Sequence, residues 1–225
     1  VEASTPEFKA DIRKLISYLS IQVEKAGVKV IPAEATGQTI KDGGFDVVIV
    51  ATGAKAWLPD IPGLDQPHVI EALDAFSSAR IGKNVVVVGG GLIGRDAALF
   101  LALQGKKVTI TTRADSLNRD ADVGLPFQEI GVLLKMLSEN NVAIRTGVQL
   151  EKFTDNGVVV RDQQGTRSEI KGDTVVIAAG LVPDKEMAEA IRQIPGLEII
   201  SIGDCVEPRR IHNAIHEGFF VSYRL

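Results

Sequence analysis

The run Gly89-Gly90-Gly91-Leu92-Ile93-Gly94 constrains this chain most. It fits G-x-G-x-x-G between an apolar stretch, Val85–Val88, and an Ala- and Leu-rich stretch, Leu92–Leu103. A strand that turns directly into a helix in this way uses each glycine differently. Gly89 permits the tight turn, Gly91 lets the backbone approach a diphosphate, and Gly94 lets the helix lie close to the strand. The anion is then held by free N–H groups at a helix N-terminus. Gly105 stops the helix and Val108–Thr111 supplies a second strand, so strand, turn, helix and strand arrive in order. The spacing therefore points to a dinucleotide held across residues 89–94; the bland alternative is a tight turn with no ligand.

The end of the second strand reports on the ribose next to the diphosphate. A carboxylate there accepts hydrogen bonds from a 2′-hydroxyl, whereas a cation meets a 2′-phosphate. The sequence runs Thr111-Thr112-Arg113, with no acid at Thr111 or Thr112. Thr112 and Arg113 thus favour NADPH, while Asp115 keeps NADH open.

The surrounding chain alternates strands with helices, which implies a parallel sheet with right-handed crossovers. Ser4-Thr5-Pro6-Glu7 reads as a helix start capped by hydroxyls, and Phe8, Ile12, Leu15, Ile16, Leu19 and Val23 form one apolar stripe as far as Gly27. Val28–Ile31 reads as a short strand and Phe45–Ala51 as a strand buried on both faces. A helix is expected around Phe127–Asn140, followed by a strand at Val142–Thr146. Gln149–Phe153, Val158–Arg161 and Thr166–Ile170, split by Asp155-Asn156-Gly157 and Gln164-Gly165, predict a three-stranded meander. Thr174–Ala179 is a wholly apolar strand ending at Gly180, and Ile211–Arg224 a closing helix.

Composition narrows the function. With 25 Lys and Arg against 29 Asp and Glu, the net charge of −4 lacks the basic surplus that a nucleic-acid binder uses to displace counterions. One cysteine, Cys205, excludes a disulfide framework or an all-cysteine metal site within this chain, so redox work needs a borrowed cofactor. No apolar run approaches the ~20 residues of a membrane span, and a reducing cytoplasm is the expected compartment. The chain starts at Val1 without Met, and a fragment of a longer protein is expected.

Three further segments gain meaning from resemblance. Val47–Gly53 with Pro59 and Ile61-Pro62-Gly63 resembles the A-T-G…P…IPG crossover of flavoproteins with two dinucleotide-binding domains. Thr174–Gly180 with Pro183-Asp184 resembles the closing strand of their NAD(P) domain, and Ile200–Cys205 resembles their second FAD motif. The tail Ala214-Ile215-His216-Glu217-Gly218 is similar to a segment of the 2-enoate reductase and 2,4-dienoyl-CoA reductase branch of the NADH:flavin oxidoreductases. The resemblance covers the whole chain. It implies an α/β, three-layer, Rossmann-like FAD/NAD(P)-binding fold with a parallel sheet and an antiparallel meander. An NAD(P) domain, about 81–197, would be inserted into a partial FAD domain made of 1–80 and 198–225, whose two flanks pack together.

It also implies an electron-entry role in which a hydride passes from NAD(P)H to FAD. Asp204 with Gly203 would take the ribityl chain, Thr52 and Gly53 would border the flavin, and Gly180 the nicotinamide. Asp96 stands where relatives often carry Glu, and Arg95 beside it has no assigned role. The FAD-binding first unit is missing, as is the upstream barrel with FMN and an iron–sulfur cluster. The missing amino-terminal portion of the same enzyme is therefore an expected partner, and a homo-oligomer stays open. Rival readings are a glutamate synthase small-subunit type flavoprotein and a non-catalytic NAD(H)-sensing module. No residue is a convincing acid, base or metal ligand. His212 and His216 stand four apart but lack a third ligand, His68 sits in a Pro-flanked loop, Cys205 reads as packing, and Trp57 as a cover for core or, alternatively, a shield for a cofactor.

Overall fold

The computed structural model describes residues 4–78, 80–117 and 127–225, with the side chains of 127–129 excepted. Among the described residues the chain forms two compact units, one of residues 1–27 and 58–180, the other of 28–57 and 181–225. These are limits of compactness, whereas the expected division at 80/81 and 197/198 follows the resemblance.

The larger unit is built on a five-stranded parallel sheet. Its strands are β3 (Val69–Glu71), β4 (Asn84–Val88), β5 (Lys107–Thr111), β6 (Ala143–Arg145) and β10 (Thr174–Ile177), in the order β3-β10-β4-β5-β6. Strand side chains alternate between faces, which explains why these strands read as unbroken apolar runs. Val85 and Val87 face one layer, in which α3 (Leu92–Leu103) and α4 (Phe127–Glu139) contribute Ala97, Leu99, Leu101 and Leu137. Val86 and Val88 face the other layer, the antiparallel meander β7 (Gln149–Thr154), β8 (Gly157–Arg161) and β9 (Arg167–Lys171), through Phe153, Val158 and Val160. The result is the expected three-layer α/β fold. Strand β3 was not anticipated: it is three residues long, and only its pairing with β10 makes it a strand.

The first helix differs from expectation at its start. A 3-10 turn, Glu7–Lys9, precedes α1 (Ala10–Lys25), and the cap residues Pro6 and Lys9 accept no side-chain cap hydrogen bond. The hydroxyls of Ser4 and Thr5 stand too far upstream to serve as N-caps. No residue of α1 is fully buried, and Leu19 and Val23 are exposed, so the apolar stripe is only partly covered.

The smaller unit pairs β1 (Val47–Val50) in parallel with β12 (Glu198–Ser201), so the two flanks do meet. The helices α2 (Gly37–Gly43) and α5 (Glu186–Ile191) bury Ile40 and Ile191 against Val50 and Cys205. Strand β2 (Ala54–Ala56) runs antiparallel to β11 (Leu181–Pro183), and α6 (Ile211–Ser222) closes the unit. Two expectations fail. Val28–Ile31 is not a strand, because its β-branched side chains find no partner strand, and Val30 is 70% exposed. Phe45–Ala51 is not buried on both faces: β1 pairs only with β12 among the described residues, and Ile49 and Phe45 are exposed.

Candidate functional site

The glycine turn leaves the carboxyl end of β4, between β10 on one side and β5 on the other. From β4 the chain proceeds to β5 and β6 on one side, and β10 and β3 fill the other. In open α/β sheets ligands bind at the carboxyl ends of the strands where the strand order reverses in this way.

The three motif glycines meet three different environments. Gly89 has φ +120, and a Cβ there would lie 2.1 Å from the Ala178 carbonyl oxygen. A Cβ on Gly94 would lie 2.1 Å from the Gly89 carbonyl oxygen, so the helix sits directly on the turn. Gly91 differs from both: among the described residues nothing lies within 4 Å of its added Cβ, and its φ of −68 is ordinary. Gly91 is the N-cap of α3, no side chain among the described residues caps that helix, and no acid occupies its first turn. An uncapped helix start facing open space fits an anionic group. Gly90 has a separate task, since its missing Cβ would stand 2.4 Å from Leu117 Cδ2 and 3.0 Å from Thr112 Cβ.

Thr112, at the end of β5, is tied in by its backbone. Its N–H donates to the Arg145 carbonyl at 2.9 Å, its carbonyl accepts from Val148 at 3.0 Å, and its hydroxyl accepts from the Ala114 N–H at 3.2 Å. Arg113 is exposed and forms no ion pair among the described residues, whereas Asp115 accepts a hydrogen bond from the Gln163 amide at 2.6 Å. Asp96 turns toward the beginning of the chain. Its carboxylate lies 2.8 Å from Lys9 Nζ, and burial raises its pKa against the opposing pull of Lys9. The residue after Ala179, Gly180, has φ +128 and open space around its missing Cβ.

In the smaller unit, parallel pairing aligns Val50 with Ser201, which brings the turns at Thr52-Gly53 and Gly203-Asp204 out at the same strand ends. The Thr52 hydroxyl donates to the Asp184 carbonyl at 2.9 Å, and the Asp184 N–H donates to the Gly53 carbonyl at 3.0 Å. Asp204 Oδ1 accepts the Arg209 N–H at 3.0 Å. A cleft of about 600 Å³ opens beside β1, lined by Glu34, Phe45, Val48, Val50, Thr52 and Met187 among others. Cys205 is buried, its thiol directed at the Val50 and Ile202 carbonyls, as a packing residue would be. His212 and His216 form an edge-on pair on α6, and no group of three metal-ligating side chains occurs among the described residues.

The tail pattern by itself gives Glu217 no task, yet Glu217 organises this end. Its carboxylate accepts the Gly203 N–H at 2.6 Å and pairs with Arg209. The Gly203 N–H, with Arg209 beside it, holds the carboxyl below its ordinary value of 4.5. A lowered folded pKa means that the stabilisation is present above 4.5 and disappears as pH falls through the folded value. Glu217→Gln is therefore expected to melt below the parent protein near neutrality, with the two thermal midpoints converging as pH drops from about 5 toward 3. A gap that stays constant down to pH 3 would remove the charged carboxylate from this account.

A family profile described as pyridine nucleotide-disulphide oxidoreductase matches residues 3–200, and the chain belongs to that oxidoreductase family. Among curated relatives, a cinnamate reductase from Clostridium sporogenes is 29% identical over 99% of this chain and 33% of its own length. An NADH oxidase from Thermoanaerobacter brockii is 28% identical over 99% of this chain and 35% of its own. Among solved structures, a 2-naphthoyl-CoA reductase complex superposes with a TM-score of 0.91 at 30% identity, covering all of this chain and 34% of that one. Histamine dehydrogenase from Rhizobium sp. 4-9, at 20% identity and TM-score 0.83, shares the fold. The kinship with enoate-reductase-type flavoproteins thus holds, and the chain spans about a third of these relatives' length.

Proposed function

We propose that this chain is the electron-entry portion of a flavin-dependent oxidoreductase, binding NAD(P)H at the glycine turn and presenting it to FAD. The observation that carries this reading is the open, uncapped start of α3 at Gly91, placed where the strand order reverses. Gly89 and Gly94 hold the turn closed from behind, and residues 91–93 offer N–H groups to the diphosphate. Thr112 and Arg113 take the adenosine ribose. Because Asp115 is engaged by Gln163 while Arg113 has no ion-pair partner among the described residues, we favour NADPH. Gly180 leaves room for the nicotinamide. Asp96, two residues past Gly94 and paired with Lys9, is a further nucleotide-binding residue in this reading.

When bound, the nicotinamide supplies a hydride that the flavin accepts; the chain's own part is to bind, orient and screen from water. Thr52, Gly53, Gly203 and Asp204 would border the flavin, but Glu217 already occupies the Gly203 N–H, and the sheet beneath them has only two strands among the described residues. We therefore assign completion of the FAD site to residues outside this chain. In this reading the nicotinamide half spans about 81–197 and the flavin half takes 1–80 with 198–225. Electrons would continue through FMN and an iron–sulfur cluster upstream to an enoate- or aryl-CoA-type acceptor, in the cytoplasm.

Calorimetric titration tests this. NADPH and NADH are expected to bind at micromolar to millimolar strength, NADPH more tightly, while the chain purifies without bound flavin. Failure to bind either nucleotide would overturn the reading, and a tightly yellow preparation would overturn the incomplete flavin site.

A further inference from the structure

Arg95 follows the last motif glycine, and among the described residues it is the largest side chain buried to completion, 0% exposed. A guanidinium taken out of water is costly unless its donors meet acceptors. Nη1 donates to the Leu117 carbonyl at 2.9 Å, and Nε reaches the Gly91 carbonyl at 3.4 Å. These two carbonyls belong to different segments. Gly91 lies in the glycine turn, whereas Leu117 lies in the loop after β5, which also carries Thr112, Arg113 and Asp115. The same loop presses on the turn at Gly90, where Leu117 Cδ2 and Thr112 Cβ fill the space of a missing side chain. Arg95 therefore bridges the segment assigned to the diphosphate and the segment assigned to the adenosine ribose. Its planar fork can reach two acceptors at fixed separation, which neither a lysine nor a methionine can do.

We propose that Arg95 is a positioning residue: by joining the Gly91 and Leu117 carbonyls it fixes the ribose loop relative to the glycine turn, and so sets the discrimination between a 2′-hydroxyl and a 2′-phosphate. This rests on the nucleotide assignment made above. Arg95 does not touch the nucleotide in this account. It keeps Arg113 at one distance from the diphosphate, and a loop free to drift would serve either ribose equally.

The test is calorimetry of the whole chain with 5′-ADP, 2′,5′-ADP and inorganic pyrophosphate, for the parent protein, Arg95→Met and Arg95→Lys. The parent is expected to separate 5′-ADP from 2′,5′-ADP by about tenfold or more, and Arg95→Met to bring that ratio below about threefold. Pyrophosphate affinity should change by less than about threefold, since Gly89 and Gly94 still hold the turn. Arg95→Lys keeps the charge but loses the fork, and should also lose the discrimination; it serves alone if Arg95→Met does not fold. An unchanged ratio in a folded variant would overturn the proposal. So would equal weakening of all three ligands, which would make Arg95 a source of charge or of general stability. A parent that binds all three without discriminating would overturn it too. A parent that binds none of them would instead overturn the nucleotide assignment itself, and this inference with it.

Discussion

Gly91→Val is expected to leave the fold intact and to abolish NAD(P)H binding. Among the described residues nothing lies within 4 Å of a Cβ built at Gly91, and its φ of −68 is one that valine adopts readily. The N-cap preference lost on replacing glycine is about 1 kcal/mol at most, so the thermal midpoint should move by only a few degrees. The space that valine would fill is the approach to the helix N-terminus, where the diphosphate must come within hydrogen-bond reach of the backbone. Two methyl groups there should weaken binding at least a hundredfold, about 2.7 kcal/mol. Calorimetry with NADPH and a thermal melt of the same preparation check both halves. A folded variant with parental affinity would show that this turn holds no nucleotide.

Gly89→Ala should do the reverse, acting on the fold before it acts on any ligand. The backbone at Gly89 sits at φ +120, and the new methyl would stand 2.1 Å from the Ala178 carbonyl oxygen. Neither side can yield. The Gly89 N–H is committed to the Thr111 carbonyl at 2.8 Å, and the Ala178 N–H to the Val88 carbonyl at 2.8 Å, so the clash lies between three hydrogen-bonded strands. Strain of this kind costs about 3 kcal/mol or more, which corresponds to a fall of roughly 10 °C in thermal midpoint for a chain of this size. Circular dichroism would measure it, and a midpoint within a degree or two of the parent would show that β4 and β10 are not locked as described.

The two glycines look alike as letters, yet the tight turn at Gly89 could be read in advance, because the motif's geometry assigns it. The same holds for much of the larger unit. The bounds of α3 were legible from the glycines before and after it, and β4, β5 and β10 from apolar runs that only a sheet covered on both faces can hide. The meander was legible from its alternating residues and turn signals. The smaller unit was harder. Its helix α2 begins with a capping pair, Thr36 and Thr39, but glycines at 37, 43 and 44 mask so short a helix. Strands β2 and β11 are three residues each, and one contains Pro183. The Val28–Ile31 error has the converse cause: β-branched residues state a preference, and a strand needs a neighbour.

By itself the sequence determined the central βαβ unit, the glycine turn and the covered sheet, because hydrophobic period, glycine spacing and helix stops are local properties of the chain. Only the tertiary structure decided which polar side chains face inward and which backbone groups they hold. Arg95 reaches a carbonyl 22 residues away, Thr52 one 132 residues away, and Glu217 meets Gly203 across a turn and a helix. Such pairings depend on how distant segments are packed together, and a one-dimensional pattern carries no measure of that distance.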